Sequence, residues 1–343
     1  MVDQVFTGTI TGGKKVYWFN LKNNKGTEVR LSNYGAILNK YILTNKLRSQ
    51  QDIVLGFDSM EEYLSDRYLS SYPYFGAIIG RCANRIKNGK IQIGDNWYQL
   101  SRNAGEHCLH GGAMGFDRKV WDIAKVPDGA DNKVAFHYLS VDGEEGFPGN
   151  LQVHISFELK ETDELVMEYT ASCDADTFVN LTHHDYFNLH PLKKPVAHHA
   201  AQIFASGYLE QDAGYIPTGR ILPVNNTPYD FRNQKNIGRD WDRANGYNQS
   251  FVIDKDPYLL SLAARFYERT GGISLEVYST ANIAHFYTGK YLSETRGKNN
   301  EQYHAFGAFA IELQNYPNVA TSNIILAAGN TFRQTTIYKT YCK

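Results

Sequence analysis

The chain has 343 residues and a formal net charge of −1, with 35 Lys and Arg against 36 Asp and Glu. So even a balance, without blocks of like charge, lacks the basic footprint of nucleic-acid binding. No apolar run approaches a membrane span, and Met1-Val2-Asp3-Gln4-Val5-Phe6-Thr7-Gly8 lacks the basic and apolar regions of a secretory signal; the expectation is a soluble, cytoplasmic protein without nucleic-acid or membrane partners, a monomer or weak dimer.

Apolar and polar residues alternate with period two along much of the chain, as they must where a strand buries one face. In chain order, this predicts strands at 16–21 and 27–31. A short helix follows at 59–68, where Ser59 can cap an acidic first turn. Further strands are predicted at 90–100, 134–141, 151–161, 164–173, 273–280, 308–314 and 331–340. Turn chemistry punctuates them at Gly12-Gly13, Asn23-Asn24-Lys25-Gly26, Lys87-Asn88-Gly89, Gly94-Asp95-Asn96, Asp128-Gly129 and Gly271-Gly272. The 24 Tyr, 18 Phe and 29 Gly suit strands joined by turns. No Pro/Gly/Ser-rich linker divides the chain. The fold class expected is all-β: a large antiparallel β-sandwich with few short helices, residues 1–343 forming one domain. A two-domain β protein is the alternative.

Several chemistries fail on inspection. Cys82, Cys108, Cys173 and Cys342 form no CxxC pair or zinc spacing, which suits reduced thiols. There is no GxSxG elbow, Walker A loop or GxGxxG turn. The segment 142–149, Asp-Gly-Glu-Glu-Gly-Phe-Pro-Gly, reads as a turn with its acids in water and lacks the spaced oxygens of a calcium loop. What remains is a set of polar residues in unusual settings. Residues 180–189 read Asn-Leu-Thr-His-His-Asp-Tyr-Phe-Asn-Leu, and on a strand His183 and His184 face opposite ways, so one can enter a given pocket. Glu312 is a lone carboxylate in the apolar run Ala308-Phe309-Ala310-Ile311-Glu312-Leu313; such a group faces solvent or lines a pocket, where burial raises its pKa. His110 precedes Gly111-Gly112, which permit a sharp turn and close ligand approach. Arg85, in Gly80-Arg81-Cys82-Ala83-Asn84-Arg85-Ile86, offers a planar fork of donors.

Together these segments resemble the aldose 1-epimerase family over nearly the whole chain. The motifs that carry the resemblance are Asn33-Tyr34-Gly35-Ala36, Asp52-Ile53-Val54-Leu55-Gly56-Phe57, Tyr74-Phe75-Gly76-Ala77, residues 80–86, Leu109-His110-Gly111-Gly112 and residues 142–149. They continue through residues 180–189, Ile216-Pro217-Thr218-Gly219, His285-Phe286-Tyr287-Thr288-Gly289 and residues 311–314. The resemblance implies a large antiparallel β-sandwich with a cleft on one sheet. It implies catalytic roles for His184 and Glu312 and sugar contacts from Arg85 and His110, with Asn84 matching the asparagine often found before that arginine. Two positions depart from the family pattern. Asn248 stands where an aspartate is usual, and His285 where a glutamine is common; both bear on sugar choice. The implied activity is interconversion of the anomers of free aldohexoses such as galactose or glucose. Glu312 as carboxylate takes the C1 hydroxyl proton, and His184 as imidazolium gives one to the ring oxygen. The implied partner is the small aldose, with no metal and no cofactor. Alternatives are a non-catalytic sugar-binding or regulatory protein on the same fold, or an epimerase for a different aldose, including a hexose 6-phosphate. A glycosidase would need a second carboxylate across the bond.

Overall fold

A computed structural model describes residues 2–9, 13–126, 132–292, 295–316 and 324–343. The turn expected at Asp128-Gly129, and Gly12 of the turn at Gly12-Gly13, lie outside the described residues. The largest sheet has nine strands, in the order Asp122–Ala124, Lys133–Ser140, Leu151–Leu159, Glu164–Cys173, Thr331–Cys342, Ile273–Ser279, Ser261–Tyr267, Ala200–Ile203 and Lys235–Asn236. Its neighbours are antiparallel. Alternation sets its inner face: Leu151, Val153, Ile155, Phe157 and Leu159 are buried, while Gln152 and His154 face water.

A second antiparallel sheet has six strands, in the order Tyr186–Phe187, Phe309–Gln314, Ile283–Tyr287, Asn248–Val252, Gly207–Gln211 and Pro217–Pro223. One of its faces meets the large sheet. Phe251, Phe286, Phe309, Ile311 and Leu313 share a core with Val153, Ile155, Phe157, Phe266 and Leu275. Phe266 of the large sheet stacks on Phe309 of the smaller one at 4.2 Å between ring centroids. Each such buried ring contributes roughly 1.5–3 kcal/mol. A five-stranded antiparallel sheet, Asp3–Thr9, Lys15–Lys22, Glu28–Ser32, Leu38–Thr44 and Gln50–Asp52, adds Phe19, Leu21, Val29 and Leu31 to the same core.

The expected strands are present, with shifted limits. Residues 90–100 are a hairpin, Lys90–Ile93 and Asn96–Gln99, turning at Gly94-Asp95. The last strand runs on to Cys342. The single helix expected at 59–68 is two, Met60–Tyr63 and Asp66–Ser71. Glu62 accepts from the Ser59 backbone N–H, as a capping box requires. Ser65 then caps afresh, its hydroxyl accepting from the Tyr68 N–H, so the first helix stops there. Strand Ile283–Tyr287 escapes a period-two reading because every residue in it is buried. All four cysteines are free thiols. No described helix is long and apolar enough to cross a membrane.

Candidate active site

The outer face of the six-stranded sheet is built by register. Across three strands, Ser250 pairs with His285 and His285 with Glu312. One step along, Asn248 pairs with Tyr287, Tyr287 with Ala310, and Ala310 with Tyr186. Residues two apart share a face, so both rows lie on one side, away from the Phe286–Ile311 core. Polar groups that are 35 and 27 positions apart in the chain thereby become lateral neighbours.

His184 reaches this face from the strand edge. Its backbone N–H donates to Ala77 at 2.9 Å, and its carbonyl accepts from the Gly76 N–H at 3.0 Å. Its ring stacks on Tyr186, centroids 4.8 Å apart, and on Tyr74 at 5.8 Å. His183 turns the other way, as the alternation requires. Its Nδ1 faces Asp185 Oδ1 at 2.9 Å and its Nε2 the Ala36 carbonyl at 3.0 Å, while Asp185 Oδ2 accepts from the Tyr338 hydroxyl. It is a core histidine.

Two backbone loops bring the remaining groups. His110 and Asn84 both adopt positive φ, 54° and 66°. They are laced together: the His110 N–H donates to the Asn84 carbonyl, and the Asn84 N–H to His110 Nδ1. Gly111, at φ 92°, passes so near Gly80 that a Cβ would sit 1.9 Å from the Gly80 carbonyl oxygen; only glycine fits. The His110 ring meets His184 edge-on at 5.5 Å. Arg85 lies over the Tyr215 ring at 5.4 Å and makes no ion pair among the described residues. Arg81, four residues earlier, is structural: its buried guanidinium bonds Ser140, Val141, Pro148 and Thr177. The acids of 142–149 are more engaged than expected. Glu144 binds Lys119, Tyr138 and Ser140, and Glu145 accepts from the Ala113 N–H.

All seven residues expected at the site (Asn84, Arg85, His110, His184, Asn248, His285 and Glu312) line one cleft of about 160 Å³. Its tyrosine wall, Tyr72, Tyr74, Tyr186, Tyr287 and Tyr291, was mostly not singled out from sequence. Tyr74, Tyr186 and Tyr287 stand inside recognised motifs, but nothing local marks Tyr72 or Tyr291; the Tyr291 N–H donates to the Tyr287 hydroxyl at 2.7 Å.

At the floor, His184 Nε2 lies 3.5 Å from Glu312 Oε1, and both side chains are buried. His184 Nδ1 and Glu312 Oε2 have no hydrogen-bond partner among the described residues. Desolvation pushes Glu312 up to about 8, against a smaller opposing pull from the Arg85 charge. Desolvation likewise pulls His184 down to about 4. Burial therefore favours a proton on the carboxyl and a neutral imidazole, rather than the ion pair expected from sequence. His110 and His285 are also held neutral by burial, His285 down to about 3. Ligating atoms of His110, His184 and Glu312 lie within 4.8 Å of one another, a set that could also accept a metal ion.

An imidazole set against a carboxyl group in a small polar cleft, on two packed antiparallel sheets, is an arrangement of the kind that acid–base enzymes use. The family model for aldose 1-epimerase matches residues 17–339. Galactose mutarotase of Rattus norvegicus is 35% identical over 98% of this chain and 97% of its own. Aldose 1-epimerase of Haemophilus influenzae is 34% identical over 93% of this chain and 94% of its own. A crystal structure of an aldose epimerase homologue from C. elegans superposes with a TM-score of 0.85 at 28% identity, covering 100% of this chain and 99% of that one. The chain belongs to the aldose 1-epimerase family and is an isomerase.

Proposed function

We propose that the protein interconverts the α and β anomers of free aldohexoses such as galactose and glucose, and that residues 1–343 act as one domain. The observation that carries this reading is His184 Nε2 facing Glu312 Oε1 at 3.5 Å in a buried cleft, each group with a further atom that has no partner among the described residues. Mutarotation needs the pyranose to open to its aldehyde, turn about C1–C2 and close. Glu312 as carboxylate removes the C1 hydroxyl proton while His184 as imidazolium protonates the ring oxygen. After opening, Glu312 holds a proton and His184 is neutral. Burial by itself favours that same charge state. Closure on the other face reverses both transfers. A bound sugar's hydroxyls, together with the Arg85 charge, favour the ionised carboxylate before opening. Asn84, Arg85, His110, Asn248 and His285 hold the sugar, and the tyrosine wall offers ring faces to it.

Among the described residues, Arg85 is the only arginine or lysine lining the cleft. A phosphorylated sugar would call for a basic cluster, so this favours a free aldose. The chemistry needs neither metal nor cofactor. Polarimetry of freshly dissolved α-D-glucose and α-D-galactose, with and without protein, is the test. Acceleration is expected for at least one sugar and should survive a chelator. An unchanged rate with folded protein that still binds sugar would favour the non-catalytic alternative, and loss of activity on chelation would assign His110, His184 and Glu312 to a metal.

A further inference from the structure

Asn248 and His285, the two departures from the family pattern, are in direct contact. His285 Nε2 lies 2.8 Å from Asn248 Oδ1, and the other ring nitrogen, Nδ1, lies 2.8 Å from the Ser250 hydroxyl. An amide oxygen accepts and cannot donate, so Nε2 carries the hydrogen. A neutral imidazole has only one N–H, so Nδ1 is an acceptor and Ser250 donates to it. Burial keeps the ring neutral, as this pattern requires. Ser250 is fully buried, and its hydroxyl has no other partner among the described residues. With Oδ1 held by His285, the Asn248 amino group is left without a protein partner among the described residues, and Asn248 lines the cleft.

Resting on the epimerase reading above, we propose that Ser250 and His285 form a positioning relay that turns the Asn248 amide so that its amino group faces the bound sugar. The subsite then donates a hydrogen bond and reads one sugar oxygen as an acceptor. A carboxylate at this position would read the same hydroxyl as a donor, because ionised carboxylates only accept. An asparagine here, locked by histidine and serine, therefore gives the subsite the opposite polarity to the one a carboxylate would give it. Ser250 touches no sugar; it acts by fixing the His285 tautomer.

Fluorine accepts weakly and cannot donate, which makes deoxyfluoro sugars a probe of this polarity. The experiment compares kcat/KM for deoxy and deoxyfluoro glucose and galactose, substituted in turn at each non-anomeric hydroxyl. It uses the wild type and the variants Ser250→Ala, Ser250→Thr and Asn248→Asp. Taking the ratio of fluoro to deoxy sugar in each protein, then comparing proteins, cancels the effect of fluorine on ring opening itself. At one position the wild-type ratio should exceed that of Asn248→Asp by roughly 2- to 10-fold, the span of one net hydrogen bond. Ser250→Ala should reduce that excess and raise KM while kcat changes little, and Ser250→Thr, which keeps the hydroxyl, should restore it. Nitrogen-15 NMR of the His285 ring should show the Nε2–H tautomer in the wild type and Ser250→Thr, and a mixture in Ser250→Ala. A fluoro-to-deoxy ratio equal in an active wild type and Asn248→Asp at every position, or a tautomer indifferent to Ser250→Ala, overturns the relay. A wild type inactive on both parent sugars overturns the epimerase reading alone, because the His285 spectrum reports the relay with no sugar present.

Discussion

Replacing Glu312 by glutamine tests the proton-transfer mechanism most directly. The side chain is buried, it faces His184 Nε2 at 3.5 Å, and its second oxygen has no partner among the described residues. Glutamine keeps the shape and polarity but cannot accept a proton at physiological pH. Loss of one positioned acid–base group removes about 10²- to 10⁴-fold of rate, or about 2.7–5.4 kcal/mol of barrier. The loss should fall on kcat, since Arg85, Asn84, His110 and the tyrosines still hold the sugar. Stability should change little at neutral pH, because the native carboxyl, raised to about 8, is already largely protonated there. The assay is polarimetric mutarotation of α-D-galactose and α-D-glucose at saturating and limiting sugar, with circular dichroism and thermal melting to confirm the fold. A variant with kcat within tenfold of wild type would refute the assignment of Glu312 as the base. A fall in kcat/KM caused by KM alone would make it a binding residue.

His184→Asn should lose kcat to a similar degree while staying folded, whereas His183→Asn should retain kcat but lose stability, about 1–3 kcal/mol for each buried partner left unsatisfied at Asp185 or Ala36; kinetics and chemical denaturation of the two variants separate these outcomes. The pH profile of kcat/KM should show a plateau bounded by apparent values of about 4 and about 8, which belong to the pair rather than to either residue. Stability carries the same signs. Glu312 is raised from 4.5, so its stabilising contribution is complete below 4.5 and is lost as pH rises through about 8; His184 is lowered from 6.5, so its contribution is complete above 6.5 and is lost as pH falls through about 4. Melting temperatures across pH should therefore show a shallower alkaline decline in Glu312→Gln and a shallower acid decline in His184→Asn than in wild type.

Much of the scaffold was legible because a strand with one buried face announces itself locally. The alternation in Leu151–Leu159 and Glu164–Cys173 predicts both strands and their inner faces, and the structure pairs them in one hairpin. Strands buried on both sides were harder. Phe309–Gln314 stood out by its apolar run, but Ile283–Tyr287 carries a histidine and two aromatics with no period to read. The helix boundary failed for a local reason: a second serine, Ser65, could cap as well as Ser59, and the sequence alone does not rank them.

For the site, the amino-acid sequence by itself determined which residue types are present in which ordered motifs, and that was enough to bring all seven candidates to one cleft. It also implied that only one of two adjacent histidines could enter, because neighbouring side chains on a strand point to opposite faces. The tertiary structure decided what no local pattern encodes. Pairing register set Ser250, His285 and Glu312 side by side, and so decided that Asn248 would meet His285 rather than act alone. Burial decided the charge state of His184 and Glu312, since a pKa depends on surroundings assembled from distant segments. The tyrosine wall likewise comes from separate stretches of chain that alternation does not connect. Local periodicity specifies faces; only the folded register specifies which faces, and therefore which chemical groups, come to share a cleft.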